Sequence, residues 1–410
     1  MKRSRSSSAQ PWLNRTVLGI ALASLFSDWS HEIATAVLPA FLGSLGVAAA
    51  WLGIIEGVSD GLSSFAKLGS GFYTDRLPRR KPIAFCGYLI TTLATGSFGL
   101  ATTPWHVLFA RAAAWLGRGV RTPVRKALLA AAVDPSVYGR AFGFERAMDT
   151  LGAIVGPLTA LGLLAALPGN YRTVFAVTLL PGLVAATLIG LVVQENERVP
   201  VSYASFSERL GLLPSAYRRL LLAVGIFGAG AFAHTLLILL ATQRLTPSLG
   251  ASGAATAAVA LYVLHNVFYA GFSYLGGLLA DRFPKNQLLA GGYALATLMA
   301  LGIIFLPVGL GPLALVFILG GVQVAIEETL EDSFCAELVE PAQHGMAFGI
   351  LATVNGIGDF LSSTIVGLLW SAVGQTAAFG YSAVLFLLGA VLTLQVQPPM
   401  SSARFQSREI

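Results

Sequence analysis

Gly71-Phe72-Tyr73-Thr74-Asp75-Arg76-Leu77-Pro78-Arg79-Arg80-Lys81 decides the fold, because the chain repeats its core. Asp75-Arg76-Leu77-Pro78-Arg79 returns as Asp281-Arg282-Phe283-Pro284-Lys285, 206 residues later in a chain of 410. The same offset carries Gly139-Arg140-Ala141-Phe142-Gly143 onto Gly345-Met346-Ala347-Phe348-Gly349, Asp134-Pro135 onto Glu340-Pro341, and Gly152 onto Gly358. Four separate matches at one spacing identify a duplication. A unit of about 200 residues is far too long for a solenoid repeat. In an apolar chain it predicts two parallel halves, each of several membrane helices.

Composition agrees. The chain is 55% hydrophobic and 11% charged, against about 25% charged for soluble domains. That leaves too little polar sequence to cover a large soluble enzyme. Stretches able to span, each of roughly 20 residues, fall near 17–45, 50–74, 82–101, 104–124, 140–167 and 173–193, then 217–243, 253–279, 287–306, 311–328, 345–373 and 376–396. The second set is the first shifted by the repeat. The expectation is an all-α membrane protein of twelve transmembrane helices in two six-helix halves related by a pseudo-two-fold. Residues 1–193 and 217–410 form the halves, and 194–216 link them.

Cations set the orientation. Lys2, Arg3, Arg5 and Arg15 precede the first span, and Arg76, Arg79, Arg80 and Lys81 follow the second. Arg121, Arg125, Lys126 and Arg140 surround the turn after the fourth, and Arg198, Arg209, Arg218 and Arg219 fill the central gap. Arg282 and Lys285 follow the eighth span, and Arg404 and Arg408 close the chain, whereas the opposite turns carry only Arg172 and Arg244. Both termini are therefore expected in the cytoplasm, in a multi-pass protein of the inner (plasma) membrane. The net charge of +6 follows from this asymmetry and does not call for nucleic acid. The first apolar segment is too long and too interrupted by charge for a cleaved signal.

Cys86 and Cys335 suit neither a disulfide framework nor a metal site, and both read as packing residues. No phosphate-cradling loop, nucleophile elbow or metal-binding histidine pair occurs. No cofactor and no metal are called for, and an enzyme is not expected. The linker reads as a solvated tether, with a short amphipathic helix over Phe206 to Leu213 as the alternative.

The loop Gly71 to Lys81 resembles the signature of the major facilitator superfamily: Gly, three residues, Asp-Arg, two residues, then Arg-Arg or Arg-Lys. A degenerate copy stands at Gly277 to Lys285. Pro78 replaces the usual Gly and stiffens the turn. The resemblance covers the whole chain and implies a transporter of small molecules. It also implies that Asp75 latches the halves in an outward-open state, with Gly71, Arg76, Arg79 and Arg80, and Asp281 and Arg282 in the copy, as the latch residues. Physically, an arginine of the fourth span or the positive start of a neighbouring helix can hold Asp75.

Charges inside the spans mark the candidate cavity, since each costs about 2.5 kcal/mol or more unless it faces a cavity or a partner. Asp28, His31 and Glu32 share a face of the first span. Asp28 lies about 20 Å in from Arg15, at roughly 1.5 Å per residue. Glu56 and Asp60 pair on the second span, and Arg111 and Arg118 share a face of the fourth. Glu145, Arg146 and Asp149 crowd the start of the fifth and read as structural. The repeat sets His234 opposite Asp28, and Asn266, beside His265, opposite Asp60. Glu327, Glu328, Glu331 and Asp332 map onto Arg121, Thr122, Arg125 and Lys126, which reads as an ionic lock between halves or as charge balance near the headgroups.

Arg111 falls near where the family's fourth-span motif places an arginine tied to proton coupling, but Gly117 follows two residues late. Gly152-Ala153-Ile154-Val155-Gly156-Pro157 resembles the core of the antiporter motif, with Ala160 and Leu161 in place of its later glycines. The expectation is a monomeric, proton-coupled exporter with Asp28 and Glu32 as proton carriers. The alternatives are a proton-coupled importer of an organic anion, clamped by Arg111 and Arg118, and a non-transporting receptor of the same fold.

Overall fold

Caps and prolines set the helix ends along an otherwise apolar chain. The structure, a computed structural model, describes residues 11–45, 49–167, 169–195, 197 and 206–397. The basic tails read at both termini, and Arg198 of the linker, lie outside the described residues. Helix α1 (Arg15–Ser44) starts at Asn14, whose Oδ1 accepts from the backbone N–H groups of Thr16 and Val17 at 2.9 and 3.0 Å, a side-chain N-cap. There follow α2 (Ala49–Thr74), α3 (Lys81–Gly96), α4 (Pro104–Ala131), α5 (Tyr138–Ala166), α6 (Tyr171–Thr187) and a short α7 (Phe206–Leu212). The second half comprises α8 (Ser215–Gly228), α9 (His234–Ala280), α10 (Lys285–Phe305), α11 (Leu310–Leu338), α12 (His344–Ala372) and α13 (Gln375–Leu394).

Helices lie at each of the twelve expected positions, with corrections. The expected span 217–243 is broken after Gly228, and helix resumes at His234. Gly225, Gly228 and Gly230 make this stretch a poor helix former. Helix α9 holds the rest of that span and all of the next, divided at Gly250, where φ is 70°. Among the described residues eight helical stretches are long and apolar enough to cross a bilayer, and α7 and α8 together are apolar enough but bend by 100° between them. Helices α1, α2 and α4, of 30, 26 and 28 residues, have the length but carry charges midway.

The duplication is visible in the element ends. Helices α5 and α12 start and stop in register at the repeat spacing, each behind a 3-10 turn opened by proline, Pro135–Val137 and Pro341–Gln343. Within the first half α1 packs on α5 and α6, and α4 on α2 and α3; in the second, α11 packs on α9 and α10, and α13 on α10. The halves meet through α2 with α12, α5 with α9 and α11, and α4 with α12. Equivalent residues touch across the axis. The rings of Phe142 and Phe348 lie 5.7 Å apart, those of Tyr138 and His344 lie 6.3 Å apart, and Lys126 reaches Asp332 at 2.6 Å. Such self-contact is what a two-fold arrangement imposes on its axis.

Two further readings are corrected. The linker is not a free tether: the alternative's short helix is present as Phe206–Leu212, exposed except at Arg209, which is fully buried against the end of α2. Cys86 is exposed, so only Cys335, which is buried, packs in the core.

Candidate functional site

At the basic end of the bundle, where α1 begins and α2 ends, two carboxylates cross between the halves. Asp75, just past α2, accepts from the N–H groups of Gly345 and Met346 at 3.1 and 2.9 Å, in the first turn of α12. Asp281, just past α9, accepts from the N–H groups of Gly139 and Arg140 at 2.7 and 3.2 Å, in the first turn of α5. These starts are the repeated glycine segments of the sequence. Free N–H groups and the helix dipole make each a seat for an anion.

Glycine makes the approach possible. A Cβ on Gly71 would lie 2.2 Å from the carbonyl oxygen of Gly345, and one on Gly139 would lie 2.3 Å from that of Gly277. No larger residue fits while the helices touch.

The cations around Asp75 differ from the expectation. Among the described residues its ion pairs run to its own loop and to the linker. Arg80, five residues on, forms a buried ion pair with it, and Arg209 of the linker helix stands 3.7 Å away. The linker ties down this loop further: Glu195 accepts from the N–H groups of Arg80 and Lys81, and Glu197 pairs with Arg79. Arg76 lies over the Phe72 ring at 4.3 Å, whereas Arg282 is exposed. In the mirror site Arg140 donates to Asp281 at 2.6 Å. Burial nevertheless holds the Asp281 carboxyl above its usual range, against the hydrogen bonds and charges of Arg140 and Lys285.

Deeper in the first half, Asp28 is buried and accepts from Arg118 at 3.0 Å. His31 lies beside Trp115, with ring centroids 4.5 Å apart, and 3.8 Å from Glu32, which stays partly open. Arg111 sits over Trp115 at 3.8 Å and donates to Thr35 at 3.4 Å. Arg121 donates to Ser27 at 2.6 Å, and Arg125 pairs with Glu145 at 3.0 Å. The side chains of Glu56 and Asp60 lie outside the described residues. Gly152 and Gly156 let α5 close on α1: a Cβ on Gly152 would lie 2.4 Å from the carbonyl oxygen of Leu25. That is close packing by small residues.

The acids of α11 divide by direction. Asp332 meets Lys126, and Glu328 meets Arg146 at 2.8 Å, so both bind cations of the other half. Glu331 accepts from Tyr293 and Asn355, and Glu327 from Gln323. Arg146, read from the sequence as structural, is thus a bridge between halves; its charge was visible but its direction was not. His234 stands with His265, ring centroids 4.7 Å apart, in a cavity also lined by Gln323 and Glu327. Sequence reasoning passed over Gln323 and Asn355, since lone amides in a helix carry no spacing signal. Among the described residues no group of histidine, cysteine and acid side chains is placed to hold a metal ion.

Comparison with known proteins completes the picture. The family model of the Major Facilitator Superfamily matches residues 20–330. An uncharacterised MFS-type transporter of Methanocaldococcus jannaschii is 27% identical over 384 residues, 93% of this chain and 95% of its own. Among solved structures, the human organic anion transporter MFSD10 has a TM-score of 0.77 at 19% identity, covering 94% of this chain and 100% of its own. The fucose:proton symporter FucP of E. coli has a TM-score of 0.76, also at 19% identity and with the same coverage. At that identity the likeness of the two structures is one of fold.

Proposed function

The chain belongs to the Major Facilitator Superfamily, and on that premise we propose that it exports a small molecule in exchange for protons. That it is a multi-pass membrane protein and a secondary transporter follows from the family. The observation that supports proton coupling is the buried Asp28–Arg118 pair with Glu32 one turn away. A carboxylate so placed feels burial and a neighbouring arginine in opposite senses. Small changes in that balance, as the halves rock, take up or release a proton. When Asp28 is protonated, Arg118 loses its partner, and the charge change is passed along α4.

The reciprocal seats of Asp75 and Asp281 fit a closed gate. By the distribution of cations the basic end is the cytoplasmic one, so the gate is shut toward the cytoplasm. Alternating access then consists of breaking both seats together, which opens the cavity inward.

Proteoliposomes with an imposed pH gradient test the coupling. Asp28→Asn is expected to abolish proton-driven accumulation while leaving substrate exchange measurable. Glu32→Gln is expected to weaken coupling less. Accumulation by Asp28→Asn with wild-type pH dependence would remove Asp28 from the mechanism.

A further inference from the structure

A cavity of about 180 Å³ lies inside the second half, lined by residues of all six helices from α8 to α13. We propose that it binds a small organic cation bearing N–H groups, a protonated amine or guanidinium with an apolar body. This names a substrate class and rests on the transport reading for its role, though not for its chemistry.

The first argument is charge. Helices α11 and α12 contain six acids and no lysine or arginine. Glu328 and Asp332 are matched by cations of the other half, and Glu337 by Lys285 at 2.5 Å. Glu327 lines the cavity, and its carboxylate takes a hydrogen bond from the neutral amide of Gln323, with no salt bridge among the described residues. An ionised carboxylate away from water is costly unless a cation meets it. Glu331, which accepts from Tyr293 and Asn355, and Asp359, which also lines the cavity, complete the six. The Glu327 carboxylate thus offers a seat for a cation.

The second argument is independent and comes from His265. Its Nδ1 lies 3.2 Å from the carbonyl oxygen of Phe317. A carbonyl only accepts, so Nδ1 carries the proton and donates. Nε2 is then a lone-pair acceptor, and it is buried without a partner in a side chain that is 1% exposed and lines the cavity. Two acceptors thus line one space: Glu327, met by a neutral amide and no cation among the described residues, and His265 Nε2, met by no donor. An anion offers neither charge nor donor, and a quaternary ammonium offers charge without N–H. A protonated amine or guanidinium offers both.

Size and lining limit the rest of the ligand. Phe227, Phe232 and Phe386 line the same cavity and suit an apolar body beside a cation. The volume is below the roughly 300–1,000 Å³ of drug-sized pockets, which calls for a small molecule.

The test is calorimetric binding to the purified full-length protein in lipid nanodiscs, with three isosteric probes: phenethylammonium, its N,N,N-trimethyl analogue and 3-phenylpropionate. Phenethylammonium is expected to bind, the trimethyl analogue at least ten-fold more weakly, and the carboxylate not at all. Glu327→Gln is expected to weaken phenethylammonium at least ten-fold. His265→Phe is expected to erase the preference for the N–H-bearing probe. Variants are compared only if they remain monodisperse, and Gln323→Leu serves as a second route to the Glu327 carboxylate. The proposal is overturned if 3-phenylpropionate binds as well as the cations, if Glu327→Gln binds phenethylammonium like wild type, or if no probe binds. Flux in proteoliposomes is scored separately. Binding without flux defeats the transport reading and leaves the site standing; flux of another solute without cation binding does the reverse.

Discussion

Gly71 shows what a single residue decides here. Its missing side chain lets α2 touch α12, and a Cβ there would lie 2.2 Å from the carbonyl oxygen of Gly345. Gly71→Ala is expected to disfavour the closed basic end by about 1–3 kcal/mol, the usual cost of overpacking, without unfolding either half. Spin labels at Ser136 and Glu340, exposed positions in the two halves, report it as a longer distance; an unchanged distance would falsify the contact. The seat of Asp281 makes closure respond to pH. The closed state holds the Asp281 carboxyl above its ordinary range through burial. It therefore binds the proton more firmly than a free loop does. Through this group acid favours closure, and the cost of burying the charge is felt above the raised value. Lowering the pH from neutrality is expected to shorten the Ser136–Glu340 distance, and Asp281→Asn to flatten that response. Asp75→Asn is expected to open the basic end by up to about 2 kcal/mol, the range for a charge at a helix start. A closed distance in Asp75→Asn with normal transport counts against the latch.

At the scale of elements, α4 and α11 bring together residues that the repeat makes equivalent. The contrast of Arg121, Arg125 and Lys126 with Glu327, Glu331 and Asp332 was legible in the sequence. Only Lys126 turns out to reach its own counterpart; Arg121 and Arg125 stay in the first half. Removing one partner of a buried pair costs about 3–5 kcal/mol. Lys126→Asp and Asp332→Lys are each expected to open the basic end, and the double exchange to restore closure in part, read by the same label pair. No recovery in the double exchange would mean that the two side chains act separately. The linker was the element read least well. Its charges suggested solvent, yet Arg209 is buried, with the Asp75 carboxylate and the carbonyl oxygen of Phe72 facing its guanidinium.

For the whole molecule, orientation is the testable consequence of charge asymmetry. Thr102 and Ser136 are exposed at opposite ends of α4. In a background of Cys86→Ser and Cys335→Ala, Thr102→Cys is expected to react with an impermeant thiol reagent in intact cells. Ser136→Cys is expected to react only after permeabilisation. Labelling of Ser136→Cys in sealed cells would invert the topology and place the closed gate outside.

The sequence by itself determined the duplication, the repeated loop from Gly71 to Lys81 and the helix positions apart from the break after Gly228, because the repeat offset and hydropathy are properties of order along the chain. It also singled out Asp28, Glu32, Arg111 and Arg118, since a charge in an apolar run announces itself. Partner choice was decided only by the tertiary structure. That Asp75 takes the start of α12, that Arg146 crosses to Glu328, and that His265 and Glu327 share one cavity all depend on how helices distant in sequence turn toward one another. Periodicity assigns a side chain to a face of its helix; the packing of the two halves decides what that face meets.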